Sequence, residues 1–422
     1  MTTKDLYREK LLRLLEAAIA ESTEPAVAMF PGFPSYHHCP ETVLNALAEI
    51  PEIAQTRSML FNRGMSHHMI DTHQYGQAII ARALTKGPSQ AIDDLYAFLS
   101  PCASDCIEVC LLGGIEVTET TELLPGVFIA PPADVPESNL GELVATAQSD
   151  EDAFMFNMRA PANLREAPRI PKAALYRFAS PRPRFSPSAD NVKPLSPEEV
   201  EELTFLQRVA TLLTIVGPSS PIVWRAYTEL VDESLLKGHI GHAWSSAIEE
   251  TRVSSTTVVT RDDLLAKRPT FEAYFTLPQE RRAELDVPLH RLNEAIRHRS
   301  PVNRAIDLGI ALEALFLSGK TDPAQLGFQL RMRGAWLLGR TLEERREIVS
   351  QLKSIYQFRS NAVHTGVVAN PKKPSDFKKV IDMLDLGIAL CADAIQAVIL
   401  AKDFNWDDLV LGARDSASSD SN

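Results

Sequence analysis

Arg359 and His364 are the residues whose types and spacing point most directly to chemistry. They lie in the stretch Tyr356-Gln-Phe-Arg-Ser-Asn-Ala-Val-His-Thr-Gly366. An arginine keeps its proton, and its planar fork can clamp a phosphate through two parallel hydrogen bonds. A histidine moves protons near neutral pH. Together they suit phosphodiester cleavage without a metal. An RNA 2′-hydroxyl attacks, Arg359 stabilises the charged phosphorane, and His364 shuttles protons. The ordinary alternative is an arginine paired with a surface carboxylate and a histidine capping its helix, because short motifs recur by chance.

The element that must position the pair is a helix. Thr341-Leu-Glu-Glu reads as a capping box at its start, and the pattern runs to a stop around Thr365-Gly366. Helical residues advance by about 100° each, so positions five apart lie about 140° apart around the axis. A regular helix therefore does not aim both side chains at one point. Either the helix frays or bulges before His364, or the site is shared. A two-fold dimer setting this helix against its copy would bring both pairs into one cleft. At the helix C-terminus, His364 sits beside the negative end of the dipole, where a cation is favoured.

Around this helix the punctuation predicts a bundle. Pro301 to Ser318, Pro323 to Leu338, the Arg359 helix, and Asp376 to Lys402 make four antiparallel helices with short connections. Pro288 to His298 opens this block. The most apolar run, Val380 to Ala401, carries Asp382, Asp385 and Asp393, which marks a buried helix and not a membrane span. Upstream, Asp5 to Ala20 carries a leucine stripe at helical spacing, and Ile222 to Glu233 also reads as helix. Segments between Cys110 and Phe185 are short, β-rich and separated by turn residues. The expected fold class is mainly α with a smaller β-containing region and a C-terminal antiparallel helical bundle.

The chain has 422 residues, 45% hydrophobic and 23% charged, which suits a soluble protein of two or three domains. We divide it into a mainly helical region 1–105, a β-rich region with a Pro-rich linker 106–195, a helical connection 196–285, the bundle 286–406 and a disordered tail 407–422. Five cysteines without a secretory leader indicate a reducing cytoplasm. The net charge of −12 is unevenly spread. Residues 290–405 hold 17 Lys+Arg against 12 Asp+Glu, a net of +5, and the remainder carries −17. Such asymmetry is compatible with RNA contact in one domain of an acidic protein.

Other reactive side chains are less well arranged. His67, His68 and His73, with His37, His38 and Cys39 upstream, lack the paired spacings of a zinc site, so no metal is expected. Cys102, Cys106 and Cys110 recur every fourth residue, as on one face of a helix, and read as small buried hydrophobes. Gly113-Gly114 is a turn and not a phosphate loop.

Residues 289–401 resemble the Apea-like branch of the HEPN superfamily. The resemblance rests on Ala305-Ile-Asp-Leu-Gly-Ile-Ala-Leu-Glu-Ala-Leu-Phe316, on Leu326 to Leu338, and on Tyr356 to Gly366. It implies a helical bundle with an Arg-x4–6-His motif and a metal-independent endoribonuclease that needs no cofactor. It also implies a homodimer acting on RNA in antiviral or toxin-type systems, with a possible regulatory or antitoxin partner. By that likeness Arg359 and His364 match the motif. Ser360 and Asn361 match its inner polar positions, and Glu313 matches an acidic residue that could orient Arg359 or His364. Many active members carry Asn, Asp or His where this chain has Ser360. That departure keeps open a second class of function, a catalytically inactive HEPN module for dimerisation or RNA/protein binding.

Overall fold

A computed structural model of the chain describes residues 3–21, 38–63, 66–100, 103–136, 171–183, 185–186, 196–230, 235, 256–317, 325–369, 374–401 and 405–411. His37, Cys102, the Pro-rich stretch 187–195, Gly319, Pro323 and the tail beyond 411 lie outside them.

The chain begins with α1 (Thr3–Glu21), whose Leu11 and Leu15 are buried. α2 (Glu41–Ala48) and α3 (Pro51–Thr56) follow, then a hairpin of β1 (Leu60–Arg63) and β2 (Ser66–His68). α4 (Thr72–Lys86) starts at a capping box. Gln74 N–H donates to the Asp71 carboxylate at 2.8 Å, and Asp71 N–H donates to Gln74 Oε1 at 2.9 Å. α5 (Pro88–Leu99) opens on a proline, whose missing N–H is harmless in a first turn. The β-rich stretch comprises β3 (Ala103–Gly113), β4 (Ile115–Glu116), β5 (Thr121–Leu124), β6 (Val127–Ala130), β7 (Ala173–Pro183) and β8 (Phe185–Ser186). α6 (Pro197–Leu212), β9 (Ile222–Leu230) and β10 (Thr257–Val258) come next. The rest is helical: α7 (Arg261–Thr276), α8 (Gln279–Arg297), α9 (Pro301–Phe316), α10 (Leu326–Leu338), α11 (Leu342–Thr365), α12 (Pro374–Leu400) and α13 (Trp406–Leu411). The protein is thus mainly helical with a smaller sheet region.

The chain forms two compact units, each drawing on several stretches. The first comprises Met1–Leu111, Gly126–Gln207 and Val223–Ala247. Its helices α1 to α5 enclose a core that includes Leu15, Leu47, Tyr75, Ile79, Leu95 and Phe98. β1 pairs antiparallel with both β2 and β8. β6, β7, β3 and β9 are neighbours in that order, with β6 and β7 antiparallel. Ile107, Val109, Leu111, Ala130, Ala174 and Tyr227 form the core on this sheet.

Three expectations change here. Ile222–Leu230 is a strand and not the start of a helix. Its Ile-Val-Trp-Arg-Ala-Tyr-Thr composition is β-branched and aromatic, and β3 supplies the neighbouring edge that decides the matter. Cys106 and Cys110 lie on strand β3 and not on a helix. A spacing of four shares a face under both the helical and the strand period, so it could not separate them. The N-terminal region also holds a hairpin among its helices.

The second unit comprises Leu112–Pro125, Arg208–Ile222 and Ile248–Asn422. In it α8 to α12 pack as a helical bundle around Leu292, Leu308, Leu312, Phe316, Leu330, Leu352, Ile355, Leu384, Ile388 and Ile395. α8 begins at Gln279, well before Pro288, which lies inside the helix. Helices approach closely at two glycines. A Cβ on Gly334 would come within 2.5 Å of Leu352, and one on Gly387 within 2.7 Å of Ile355. Asp376–Leu400 is long and apolar enough to cross a membrane by length and composition, and half of its apolar window is buried within the protein.

The C-terminal stretch expected to be disordered from 407 begins as helix α13 instead. Asn405 Oδ1 accepts from Asp407 N–H at 2.8 Å, and the Trp406 ring meets Phe316 edge-on at 5.6 Å. The Arg333 guanidinium stacks over the same indole at 5.3 Å. A capped first turn and a buried indole give this short segment the burial it needs to be ordered.

Candidate functional site

α11 carries the candidate pair, and both of its ends are specified locally. Glu344 N–H donates to Thr341 Oγ1 at 3.2 Å, and Thr341 N–H donates to the Glu344 carboxylate at 3.1 Å. Arg340 N–H adds a second bond to that carboxylate at 2.7 Å. These backbone donors hold the Glu344 carboxyl below its usual value. At the far end Gly366 takes the left-handed conformation, φ 71° and ψ 7°, and its N–H closes on Ala362 O at 3.1 Å. The helix runs regularly from Leu342 through Thr365, so no bulge or early fraying precedes His364.

Arg359 faces inward. Its Nη2 donates to Glu313 Oε2 at 3.1 Å, with the two side chains 27% and 24% exposed. α9 and α11 run antiparallel. Gly309 lies against Arg359, while Phe316 and Leu352 meet over Gly334 towards the other end. Glu313 therefore lies on the side of Arg359 facing the start of α11. The guanidinium is drawn back along the helix, as helical side chains tend to be.

His364 faces outward. It is exposed, and it makes no hydrogen bond or ion pair with a described residue. Val363 beside it and Val367 beyond the cap are also exposed. With the helix regular, His364 stands about 7.5 Å further along the axis and about 140° around it from Arg359. One chain alone does not bring the two side chains together.

The inner polar positions do different work. Asn361 is fully engaged: its Nδ2 donates to Val368 O at 3.0 Å, and its Oδ1 accepts from Gln357 Nε2 at 2.8 Å. It ties the segment after Gly366 back onto the helix. Thr365 Oγ1 donates to Asn361 O at 2.8 Å and reinforces the same turn. Ser360 is half-buried and makes no side-chain hydrogen bond to a described residue. The structure thus joins Glu313 to Arg359, gives Asn361 a bracing role, and bonds His364 to none of these residues.

Among the described residues no group of three His, Cys, Asp or Glu side chains could hold a metal ion. His67 and His68 lie on β2, and His73 lies in the first turn of α4. Cys110 is buried and its thiol is pushed up to about 12, as is that of Cys39. Such thiols are poor nucleophiles.

Sequence reasoning missed Gly309. It stands in the middle of the apolar helix α9, where glycine is about 1 kcal/mol less favourable than alanine. That local conflict was the available signal, and its partner is Arg359.

No family profile, curated protein or solved structure matches this chain.

Proposed function

We propose that the chain is a metal-independent endoribonuclease of HEPN type, acting through Arg359 and His364. The observation that carries this reading is the state of the Arg359 side chain. It is partly buried, held by Glu313, and still about a quarter exposed on a helix that ends with an exposed histidine. An arginine held in this way loses less conformational freedom when it clamps a phosphate. The local excess of basic residues between 290 and 405 supports an anionic substrate.

In the reaction, His364 takes the proton from the RNA 2′-hydroxyl as that oxygen attacks phosphorus, or returns a proton to the departing 5′-oxygen. Arg359 neutralises the charge that accumulates on the equatorial oxygens. Because the two residues diverge on one regular helix, the active species is a homodimer in which two α11 helices face one another. The exposed Val363 and Val367 flanking His364 suit such a contact. The same reading carries a cytoplasmic location, a role in antiviral or toxin-type defence, and a partner that restrains the activity.

The test is cleavage of single-stranded RNA by purified protein in EDTA. Wild type cuts, and Arg359→Ala and His364→Ala each lose about 100-fold or more, the scale of a lost general acid–base or oxyanion group. Equal cleavage by all three overturns the assignment. Cleavage only with added metal overturns the mechanism.

A second reading is favoured by the Arg359–Glu313 pair itself, which already occupies the guanidinium. In it the bundle is a catalytically inactive module for dimerisation or RNA/protein binding. His364→Ala then leaves RNA intact and binding unchanged.

A further inference from the structure

We propose that Gly309 is a positioning residue for Arg359: the missing side chain opens a furrow on α9 that seats the arginine stem and sets where its guanidinium lies. The proposal rests on the reading of Arg359 as the phosphate-binding group. A Cβ built on Gly309 would collide with Arg359 Cγ and come within 2.8 Å of its Cβ and 3.4 Å of its Cδ. All three nearest atoms belong to this one side chain, so Arg359 fills the space that a larger residue would occupy.

The head of the arginine is fixed separately. Glu313 follows Gly309 by four residues, one turn along the same face of α9 and about 6 Å by helical rise. The stem is held at Gly309 and Nη2 at Glu313, so two points on one rigid helix define the line of the side chain. Arg359 Nε is buried and makes no hydrogen bond to a described residue. That edge of the guanidinium is packed away, and Nη1, which bonds to no described residue, and the second N–H of Nη2 are the donors left for an anion. An alanine at 309 would push the stem off α9 and break the alignment of the head with Glu313.

The decisive comparison is Gly309→Ala against Gly387→Ala. Gly387 also has a tight approach, 2.7 Å to Ile355 Cδ1 and 2.8 Å to Leu308 Cδ2, and neither of these nearest neighbours is a residue of the candidate site. Both variants lower Tm. Gly309→Ala lowers kcat on single-stranded RNA by tenfold or more with KM within twofold, and Gly387→Ala stays within twofold of wild type. Equal losses in both variants, or none in Gly309→Ala, overturn the proposal.

A second measurement does not depend on catalysis. Urea midpoints are compared for Arg359→Gln, Glu313→Gln and the double variant, in wild-type and Gly309→Ala backgrounds. The shifts are non-additive in wild type and additive in Gly309→Ala. Persistent non-additivity in Gly309→Ala, or none in wild type, overturns the proposal. If Gly309→Ala does not fold, adding Arg359→Gly, which removes Cβ, Cγ and Cδ together, restores folding. A double variant that also fails to fold shows that the clash lies elsewhere and sinks the idea. Absence of cleavage by wild type removes the proposed function, and the unfolding cycle still decides on Gly309.

Discussion

Arg359 and His364 share one unbroken helix and face apart: the arginine turns inward onto Glu313, and the histidine stands exposed beside the C-terminal cap. A site shared between two copies follows from that divergence.

Mixing two inactive variants tests whether the site is shared. If catalysis joins Arg359 of one copy with His364 of another, combining Arg359→Ala with His364→Ala restores activity, because a mixed dimer keeps one intact pairing. Refolding the two variants together and assaying RNA cleavage checks this. A mixture as inactive as its components rules out a site of that kind.

Glu313→Gln removes the charge partner of Arg359. The pair is about a quarter exposed, so solvent screens it, and the expected loss of stability is about 0.5–1 kcal/mol. The activity loss is larger than this stability loss suggests, because the guanidinium loses its anchor. Urea unfolding and initial rates on one preparation separate the two effects. A variant with unchanged rates shows that Glu313 does not orient the arginine.

Gly366→Ala forces a side chain into the left-handed region. A Cβ there meets nothing within 4 Å, so the cost is conformational, roughly 1–2 kcal/mol. Gly366→Asn costs less, since asparagine tolerates this conformation better. Thermal unfolding of both variants tests the order. Equal Tm values would show that the left-handed cap is not maintained in solution.

The start of α11 gives an acid limb to stability. The Glu344 carboxyl is held below the ordinary glutamate value of about 4.5 by the backbone N–H groups of Arg340 and Thr341. The unfolded chain therefore binds the proton more readily around pH 4.5. The stabilisation is present above that value and is lost as pH falls through the lower folded-state value. Glu344→Gln flattens this limb, and Thr341→Ala costs about 1 kcal/mol at neutral pH through the lost cap. Urea midpoints at pH 7, 4.5 and 3 provide the check. An unchanged pH profile in Glu344→Gln would contradict the sign.

Local signals were legible where local chemistry is decisive. Thr341 and Glu344 announced the start of α11 and Gly366 its end, because a cap is a contact between near neighbours in the chain. The helical period puts Arg359 and His364 on different faces of any regular helix, and the unbroken helix keeps them there. The apolar runs from Pro301 and Asp376 likewise marked the bundle helices α9 and α12.

Tertiary structure decided the rest. Ile222–Leu230 became a strand because β3 offered it an edge, and Cys106 and Cys110 followed the strand on which they lie. Trp406 ordered α13 through Phe316 and Arg333, residues far away in sequence. Which carboxylate Arg359 takes, and which glycine makes room for its stem, depends on how α9 lies against α11. Caps and helical periods are written into adjacent residues, whereas a pairing edge, an ion-pair partner and a furrow exist only once distant segments pack.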